Sequence, residues 1–511
     1  MNLLTSHGPH LRPLDLMLVL VYLVGITLFG LRFRKSNQGS LRAYFLADRN
    51  IPWWAIALSI VAAETSTLTI ISVPGLAFTG DFGFLQLGLG YLLGRIVICI
   101  LFLPRYFRGE LLTAYQLIGK RFGPRLHRFT AFLFLMMRAA AEGVRVFAVA
   151  IVVGIAIGTG DIASIAILSA LTLLYTFEGG MTAVIWTDVL QVLLYGVGSA
   201  VALATICGKI PGGFSALVAG ASMAHKLTIF HFSWSVSETY TFQAGLLGGC
   251  FLTMASHGTD QLMVQRLLAA KNLRDSRLAL LVSGVVICFQ FTLFLLIGAG
   301  LFVYYRSAGQ MPSVGPDRIF PSFIVDEMPV GISGLMIAAI LAAAMSNLSA
   351  ALNALASTSV VDFYLPRHPN LSQPGRIKLS RTMTFVWAII LCALAILSRG
   401  GGHVVEIGLS IASVLWGAML GVFLLGTLSS RANEGGTIAG MVAGCVVNLL
   451  LWLQPRPITF SILPMVFPKI AWTWFVLIGS LVTCAVGYVA SFIFPGEGSA
   501  LDASPAQERS L

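Results

Sequence analysis

The stretch Trp53-Trp-Ala-Ile-Ala-Leu-Ser-Ile-Val-Ala-Ala-Glu64-Thr-Ser-Thr67-Leu-Thr-Ile-Ile-Ser72-Val-Pro74-Gly-Leu-Ala-Phe78 is long and apolar enough to cross a bilayer, yet it is interrupted twice. Glu-Thr-Ser-Thr at 64–67 and Ser72-Val73-Pro74-Gly75 put a carboxylate, hydroxyls and a helix breaker where an ordinary span has Leu and Val. Hydrocarbon contains no water, so backbone groups must bond within the segment and a span is a helix. An interruption is tolerated only where it lines a cavity or is buried in protein. A later stretch has the same character: it opens Ala244-Gly-Leu-Leu-Gly-Gly249 and contains Ser256-His257-Gly258-Thr259-Asp260. Four uninterrupted apolar runs separate the two, so the breaks stand five segments apart. Breaks at matching places in two five-helix halves are the mark of an inverted-repeat membrane fold.

The whole chain supports a lipid environment. Of 511 residues, 57% are apolar and only 10% are charged. A soluble chain has about 25% charged residues. That deficit argues against a soluble enzyme, a nucleic-acid binder and a disordered scaffold. Apolar runs of spanning length (about 17–25 residues) fall near 15–31, 52–79, 82–104, 129–157, 161–177, 182–207, 242–266, 278–305, 329–362, 380–398, 402–428, 435–453 and 471–494, thirteen in all. Arg32, Arg34 and Lys35 follow the first run and only Arg12 precedes it, the reverse of a signal peptide. The N-terminus is therefore expected outside and, after thirteen spans, the C-terminus inside. Of the 32 Lys and Arg, 21 fall in segments then inside and eight in segments outside. This asymmetry explains the net charge of +11 as orientation signal rather than nucleic-acid affinity. The seven cysteines lie in apolar stretches without metal-ligand spacing and read as small buried hydrophobes. HExxH, GxxxxGK[ST] and GxSxG are absent, and Gly158-Thr-Gly-Asp161 lies in a tight turn of a chain with 52 glycines.

Ionised side chains at membrane depth are costly, roughly 2.5–3.5 kcal/mol on insertion scales, so each one in a span is a candidate for function. Glu64 reads equally as a cavity-facing ligand or as one half of a structural ion pair. Arg138, Glu142 and Arg145, spaced four and three apart, share a helical face. Arg138 and Glu142 read as an internal pair, which leaves Arg145 as a surplus cation suited to a carboxylate solute. A lone carboxylate at Asp188 needs a cation or a strong donor, and a cation site is favoured. Ser346, Ser349 and Asn353 share a face beside Asn347; uncharged oxygens of this kind suit a weakly held monovalent cation, although composition alone favours close helix packing. Asp260, Arg266 and Asp362 read as span ends, and the sequence offers deeply placed Arg95 no partner.

Five stretches then fall into a pattern: Tyr44-Phe-Leu-Ala-Asp-Arg-Asn-Ile-Pro-Trp53-Trp54; Thr113-Ala-Tyr-Gln116 with Arg121-Phe-Gly123; Gly179-Gly-Met-Thr-Ala-Val-Ile-Trp-Thr-Asp188; Thr259-Asp-Gln261 with Gln265-Arg266; and the 338–364 segment ending Asp362-Phe-Tyr364. In order and spacing they resemble the sodium:solute symporter family over about 40–490. The resemblance implies an all-α integral membrane protein of about 13 transmembrane helices with a leucine-transporter-like core. That core is ten helices in two inverted five-helix repeats, with the first and sixth core helices broken. The implied layout is 1–51 for the outside N-terminus, first flanking helix and inside loop, 52–207 for the first repeat, 208–241 for an outside loop, 242–428 for the second repeat, 429–494 for two flanking helices and 495–511 for a cytoplasmic tail.

The resemblance also implies chemistry. The chain would be a sodium-coupled symporter, not an enzyme, that imports a small polar organic solute such as an amino acid or monocarboxylate by alternating access in the plasma (cell inner) membrane. Its partners would be that solute and the lipid bilayer, with no nucleic acid and no obligate protein partner. The coupling ion Na+ would be held by Ala62, Thr65, Ala343, Ser346 and the next position, where Asn347 replaces the family's usual Ser or Thr. A second Na+ could use Asp188 and Ser349, although Ala350 stands where another serine is usual. The solute candidates are Glu64, Thr67, Leu68, Thr69, Glu142, Arg145, Asp260 and Gln261. Leu68, Thr69, Gly88 and Asp260 stand where sugar-carrying members differ, which makes a sugar substrate less favoured. The rival expectations are a proton-coupled or uncoupled carrier that titrates Glu64 or Asp188, a channel, and an intramembrane enzyme.

Overall fold

The computed structural model describes residues 11–32, 47–108, 114–175, 181–365, 367–368, 370–399, 403–454, 458–459, 466–467 and 469–494. The expected cytoplasmic tail 495–511 lies outside the described residues. The architecture is all-helical. In chain order the helices are α1 (Pro13–Leu31), α2 (Trp53–Glu64), α3 (Thr67–Thr79), α4 (Leu85–Leu101), α5 (Leu103–Arg108), α6 (Ala114–Phe122), α7 (Pro124–Ile157), α8 (Asp161–Tyr175), α9 (Met181–Lys209), α10 (Gly213–Met223), α11 (Gly249–Gly258), α12 (Gln261–Leu268), α13 (Leu273–Ser307), α14 (Pro316–Glu327), α15 (Ile332–Thr358), α16 (Gln373–Leu397), α17 (Val404–Leu428), α18 (Glu434–Leu453) and α19 (Phe475–Ile493). A two-residue antiparallel pair, β1 (Ile458–Thr459) with β2 (Val466–Phe467), lies between α18 and α19.

Each apolar stretch marked out above is largely helical. Among the described residues seven helices are long and apolar enough to cross a membrane on their own, and α2 with α3 adds an eighth as one span bent by 64°. The bend falls at Thr65–Ser66, inside the quoted interruption. The second interruption is a π-helical turn, Ala244–Gly248, running into α11, followed by a break at Thr259–Asp260 before α12.

The segment expected as a plain outside loop, 208–241, contains helix α10. Its glycine and serine content masked the spacing of Leu217 and Ala221, which are buried against α13. The connection between α13 and the next long helix likewise holds α14, packed on α3.

The two broken elements meet through α4. Gly90 of α4 touches the π-helical turn and α11 so closely that an added Cβ would lie 2.7 Å from the Leu246 carbonyl oxygen and 2.8 Å from the Cys250 nitrogen. Small residues let helices in lipid approach to backbone contact. Gly90→Ala is accordingly expected to destabilise the protein by about 1–3 kcal/mol through overpacking, seen as a lower thermal midpoint of the detergent-purified protein. An unchanged midpoint would mean that α4 and α11 do not pack this tightly.

Candidate functional site

The break between α2 and α3 changes where backbone hydrogen bonds go. In an unbroken helix the N–H groups of Ser66 and Thr69 would reach the carbonyls of Ala62 and Thr65. Here Ser66 N–H donates to Glu64 O (3.0 Å) and Thr69 N–H to Ser66 O (2.9 Å). Carbonyls released in this way at a broken helix are the usual oxygen ligands for a transported monovalent cation. The Thr65 side chain is engaged elsewhere, since its hydroxyl donates to Gln290 Oε1 of α13 (2.9 Å).

Opposite the break runs α15. A small cavity of about 10 Å³, roughly one water-sized sphere, is lined by Ser66 and Thr67 of the break, Glu142, Arg145, Val146 and Val149 of α7, and Ala344, Asn347 and Leu348 of α15. Asn347 thus faces the break. The helix α15 carries Ala343, Ser346 and Ser349 too, but their side chains lie outside the described residues. Thr67 Oγ1 is buried without a hydrogen-bond partner among the described residues. Glu142 Oε1 accepts from Arg145 Nη1 (2.7 Å) and pairs with Arg138 Nη2 at 2.8 Å. Two guanidiniums on one carboxylate leave one positive charge over. Arg145, with 26% of its side chain exposed against 6% for Arg138, is the arginine that presents it to the cavity.

Glu64 is absent from that lining. Its Oε2 takes Arg95 Nη2 of α4 in an ion pair and lies 3.4 Å from His257 Nε2 of α11. The partner that the sequence lacked for Arg95 is therefore Glu64. Arg95 is fully buried and also reaches Ser283 Oγ and the Tyr91 carbonyl, both at 3.4 Å. His257 Nδ1 sits 2.9 Å from Ser256 Oγ. This cluster ties the break in α2 to α4 and α11, which is a structural arrangement. Leu68 is buried beside Gly408 of α17, and the Thr69 hydroxyl donates to the Glu64 carbonyl (3.3 Å).

Asp188 is not a lone carboxylate. Its Oδ2 accepts from Ser59 Oγ of α2 (2.6 Å) and pairs with Arg266 Nη2 of α12 (3.1 Å), while Arg266 Nε donates to Ser59 Oγ (3.0 Å). Arg266, expected at a span end, is 5% exposed. These three residues join α2, α9 and α12 on the side of the break away from α3. Asp260 caps α12 by accepting from Leu262 N–H (2.9 Å), and Gln261 Oε1 accepts from Ala114 N–H of α6 (2.7 Å). The opposite side of the break is closed by the start of α17. Val404 N–H donates to Asp317 Oδ2 (2.8 Å), Val405 N–H to Ser72 Oγ (3.3 Å), and Glu406 Oε1 accepts from the Tyr240 hydroxyl (2.5 Å). Burial and the Glu406 carboxylate push the Tyr240 phenol well above its ordinary range.

The structure brings Thr67, Glu142, Arg145 and Asn347 around one space, whereas Glu64, Leu68, Thr69, Asp260 and Gln261, grouped with the solute candidates in the sequence, do not line it. Sequence reasoning passed over Ser59, His257 and Gln290. Ser59 lies a helical turn and a half before the break, and a polar residue there was the available signal.

The comparisons agree with the fold. The profile of the Sodium:solute symporter family matches residues 44–444. The sodium/sialic acid symporter NanT of Aliivibrio fischeri is 26% identical over 492 residues, covering 94% of this chain and 93% of that protein. The sodium/sialic acid symporter SiaT of Proteus mirabilis is 29% identical over 442 residues, covering 84% and 87%. A solved structure of the substrate-bound outward-open state of a Na+-coupled sialic acid symporter superposes with a TM-score of 0.81 at 25% identity, covering 95% of this chain and 99% of that one.

Proposed function

Because the chain belongs to the sodium:solute symporter family, and so is a Na+-coupled carrier of small solutes rather than an enzyme, we propose that its solute bears a carboxylate. Two relatives are named for sialic acid, itself a carboxylic acid. The observation that carries the proposal is the surplus positive charge of Arg145 beside the partnerless Thr67 hydroxyl and the Asn347 amide. Charge-assisted, bidentate bonds make arginine the preferred residue for a carboxylate. At about 10 Å³ the cavity is too small for such a solute, so entry requires α3, α7 and α15 to separate. Sodium sits between the carbonyls of Ala62 and Thr65 and the α15 residues Ala343, Ser346 and Asn347, bridging the two sides that must part. Binding energy from the ion thereby favours one arrangement of the broken helix, which is what alternating access requires.

The finer architecture follows the same reading. Residues 52–207 and 242–428 form the two inverted repeats, each with one broken helix. Residues 1–51 and 429–494 flank them, 208–241 lies outside and 495–511 inside. Thirteen crossings put the N-terminus outside and the C-terminus in the cytoplasm, in the plasma (inner) membrane. Asp188 with Ser59 and Arg266 then closes the inner side. A second Na+ at Asp188 and Ser349 would have to displace Arg266 from the carboxylate, so one ion per cycle is the reading favoured here.

A thermal-shift screen of the purified protein against small carboxylates, amino acids and neutral polar solutes tests the solute class. Stabilisation by carboxylates in sodium, and not in potassium, is the expected result. Stabilisation only by neutral solutes, or equally without sodium, would overturn it. Ser346→Ala is expected to weaken sodium at least tenfold in the same assay while leaving the fold intact. An unchanged sodium dependence would remove Ser346 from the ion site.

A further inference from the structure

The break between α2 and α3 is also held by a helix that the ion site does not include. Gln290 stands at the midpoint of α13 (Leu273–Ser307), with Ile287, Phe291 and Phe294 buried beside it on the same helix. An amide at that depth is costly and needs a polar partner. Its Oε1 accepts from the Thr65 hydroxyl at 2.9 Å. Thr65 is fully buried and Gln290 is 9% exposed, so water does not compete for the bond. Either orientation of the amide closes it, because a hydroxyl both donates and accepts. Thr65 is also the residue at which the chain leaves α2. Its backbone turns out of the helical region (φ −80°, ψ 76°), while its N–H still donates to the Val61 carbonyl at 2.7 Å. With its N–H and its hydroxyl both held by protein, its carbonyl is the group left for sodium in the site proposed above.

We propose that Gln290 is a positioning residue for the coupling ion: its bond to the Thr65 hydroxyl fixes the turn at the break and aims the Thr65 carbonyl at sodium. The inference rests on the ion site proposed above, and it extends that site to a residue of α13 that does not line the cavity. The physical route is short. Side chain and carbonyl belong to one residue, so anchoring the hydroxyl and the N–H together restricts how far the carbonyl can swing. Groups that orient a ligand tune an ion's affinity nearly as strongly as the ligands themselves. Without the bond to Gln290 the turn samples other carbonyl directions. Sodium then binds only the fraction of molecules with the carbonyl correctly aimed, and its apparent affinity falls by that fraction. The solute residues Thr67 and Arg145 are not part of this contact, so the effect does not depend on which solute is carried.

Sodium itself is the probe. The purified full-length protein is titrated with sodium against potassium at constant ionic strength, and the half-saturating sodium is read from the rise in thermal midpoint. Thr65→Val, which is close to isosteric, and Gln290→Leu should each raise that concentration by about fivefold, the effect of losing one buried hydrogen bond. Both remove the same bond, so the double variant should also stay near fivefold, whereas independent effects would multiply to about 25-fold. Thr65→Ser restores the hydroxyl and should bind sodium roughly threefold more tightly than Thr65→Val. A contact that serves only the fold would lower the midpoint in potassium and leave the half-saturating sodium at the parent's value. That result for either single variant would overturn the positioning role, as would a 25-fold shift in the double. Should Gln290→Leu fail to fold, Thr65→Val and Thr65→Ser read the same bond, and equal half-saturating sodium in those two overturns it. Ser346→Ala separates this role from the ion site itself. If it weakens sodium while Thr65→Val and Gln290→Leu match the parent, the ion site stands and the role of Gln290 falls. If it leaves sodium unchanged, the site falls and the positioning role falls with it.

Discussion

Replacing Glu64 by alanine is expected to cost the fold about 3–5 kcal/mol, the range for stripping one partner from a buried ion pair. Arg95 is fully buried, and Glu64 is the carboxylate that neutralises it. Its other contacts, Ser283 Oγ, the Tyr91 carbonyl and His257 Nε2 (3.3 Å), supply no negative charge. The variant should therefore give little monodisperse protein and a sharply lowered thermal midpoint, with or without sodium. A buried ion pair replaced on both sides by apolar groups is often neutral, so Glu64→Leu with Arg95→Met should recover most of the loss. Measuring the single variants and the double closes a thermodynamic cycle that isolates the pair. If Glu64→Ala instead unfolds normally but loses solute-dependent stabilisation, then Glu64 touches solute and the structural assignment fails.

The largest effect on transport is expected at Arg145. Truncating one member of a desolvated charge pair costs about 2–5 kcal/mol, which at about 1.4 kcal/mol per tenfold raises the KM for a carboxylate solute by roughly 30-fold to several thousandfold. Arg145→Lys keeps the charge but not the planar fork and should fall between. Glu142 retains Arg138 in either variant, so the fold should survive. An amide analogue of the solute, lacking the negative charge, should be handled equally poorly by parent and variant. Uptake into proteoliposomes measures both. A variant that keeps the parent's KM for the acid would dismiss Arg145 as a solute ligand.

The sequence carried the fold because lipid leaves few choices. A break such as Glu64-Thr-Ser-Thr67 is tolerated at membrane depth only beside a cavity or inside protein, and the bend of 64° falls there. Pairings were another matter. Glu64 and Arg95 are 31 residues apart, and Asp188 and Arg266 are 78 apart. Nothing local announces that either pair meets, so Asp188 read as a lone carboxylate and Arg95 as an unexplained cation. Arg138, Glu142 and Arg145 were legible because helical spacing alone brings them together. The helix α10 was missed for the opposite reason: its short apolar face sits in a glycine-rich segment whose composition reads as loop.

The carboxylate shared by Arg138 and Arg145 also bears on the energy available for transport. The solute proposed to complement the one uncompensated positive charge is an anion, and in the proposed cycle it would travel with one Na+. The mobile charges then cancel, and the membrane voltage does no net work on the loaded step. A neutral solute riding the same ion would gain about 2.3 kcal/mol from 100 mV on top of about 1.4 from a tenfold sodium gradient, enough for roughly 500-fold accumulation. The anion has only the chemical gradient and stops near tenfold. Electroneutral symport of this kind would keep the same accumulation limit when the membrane is depolarised.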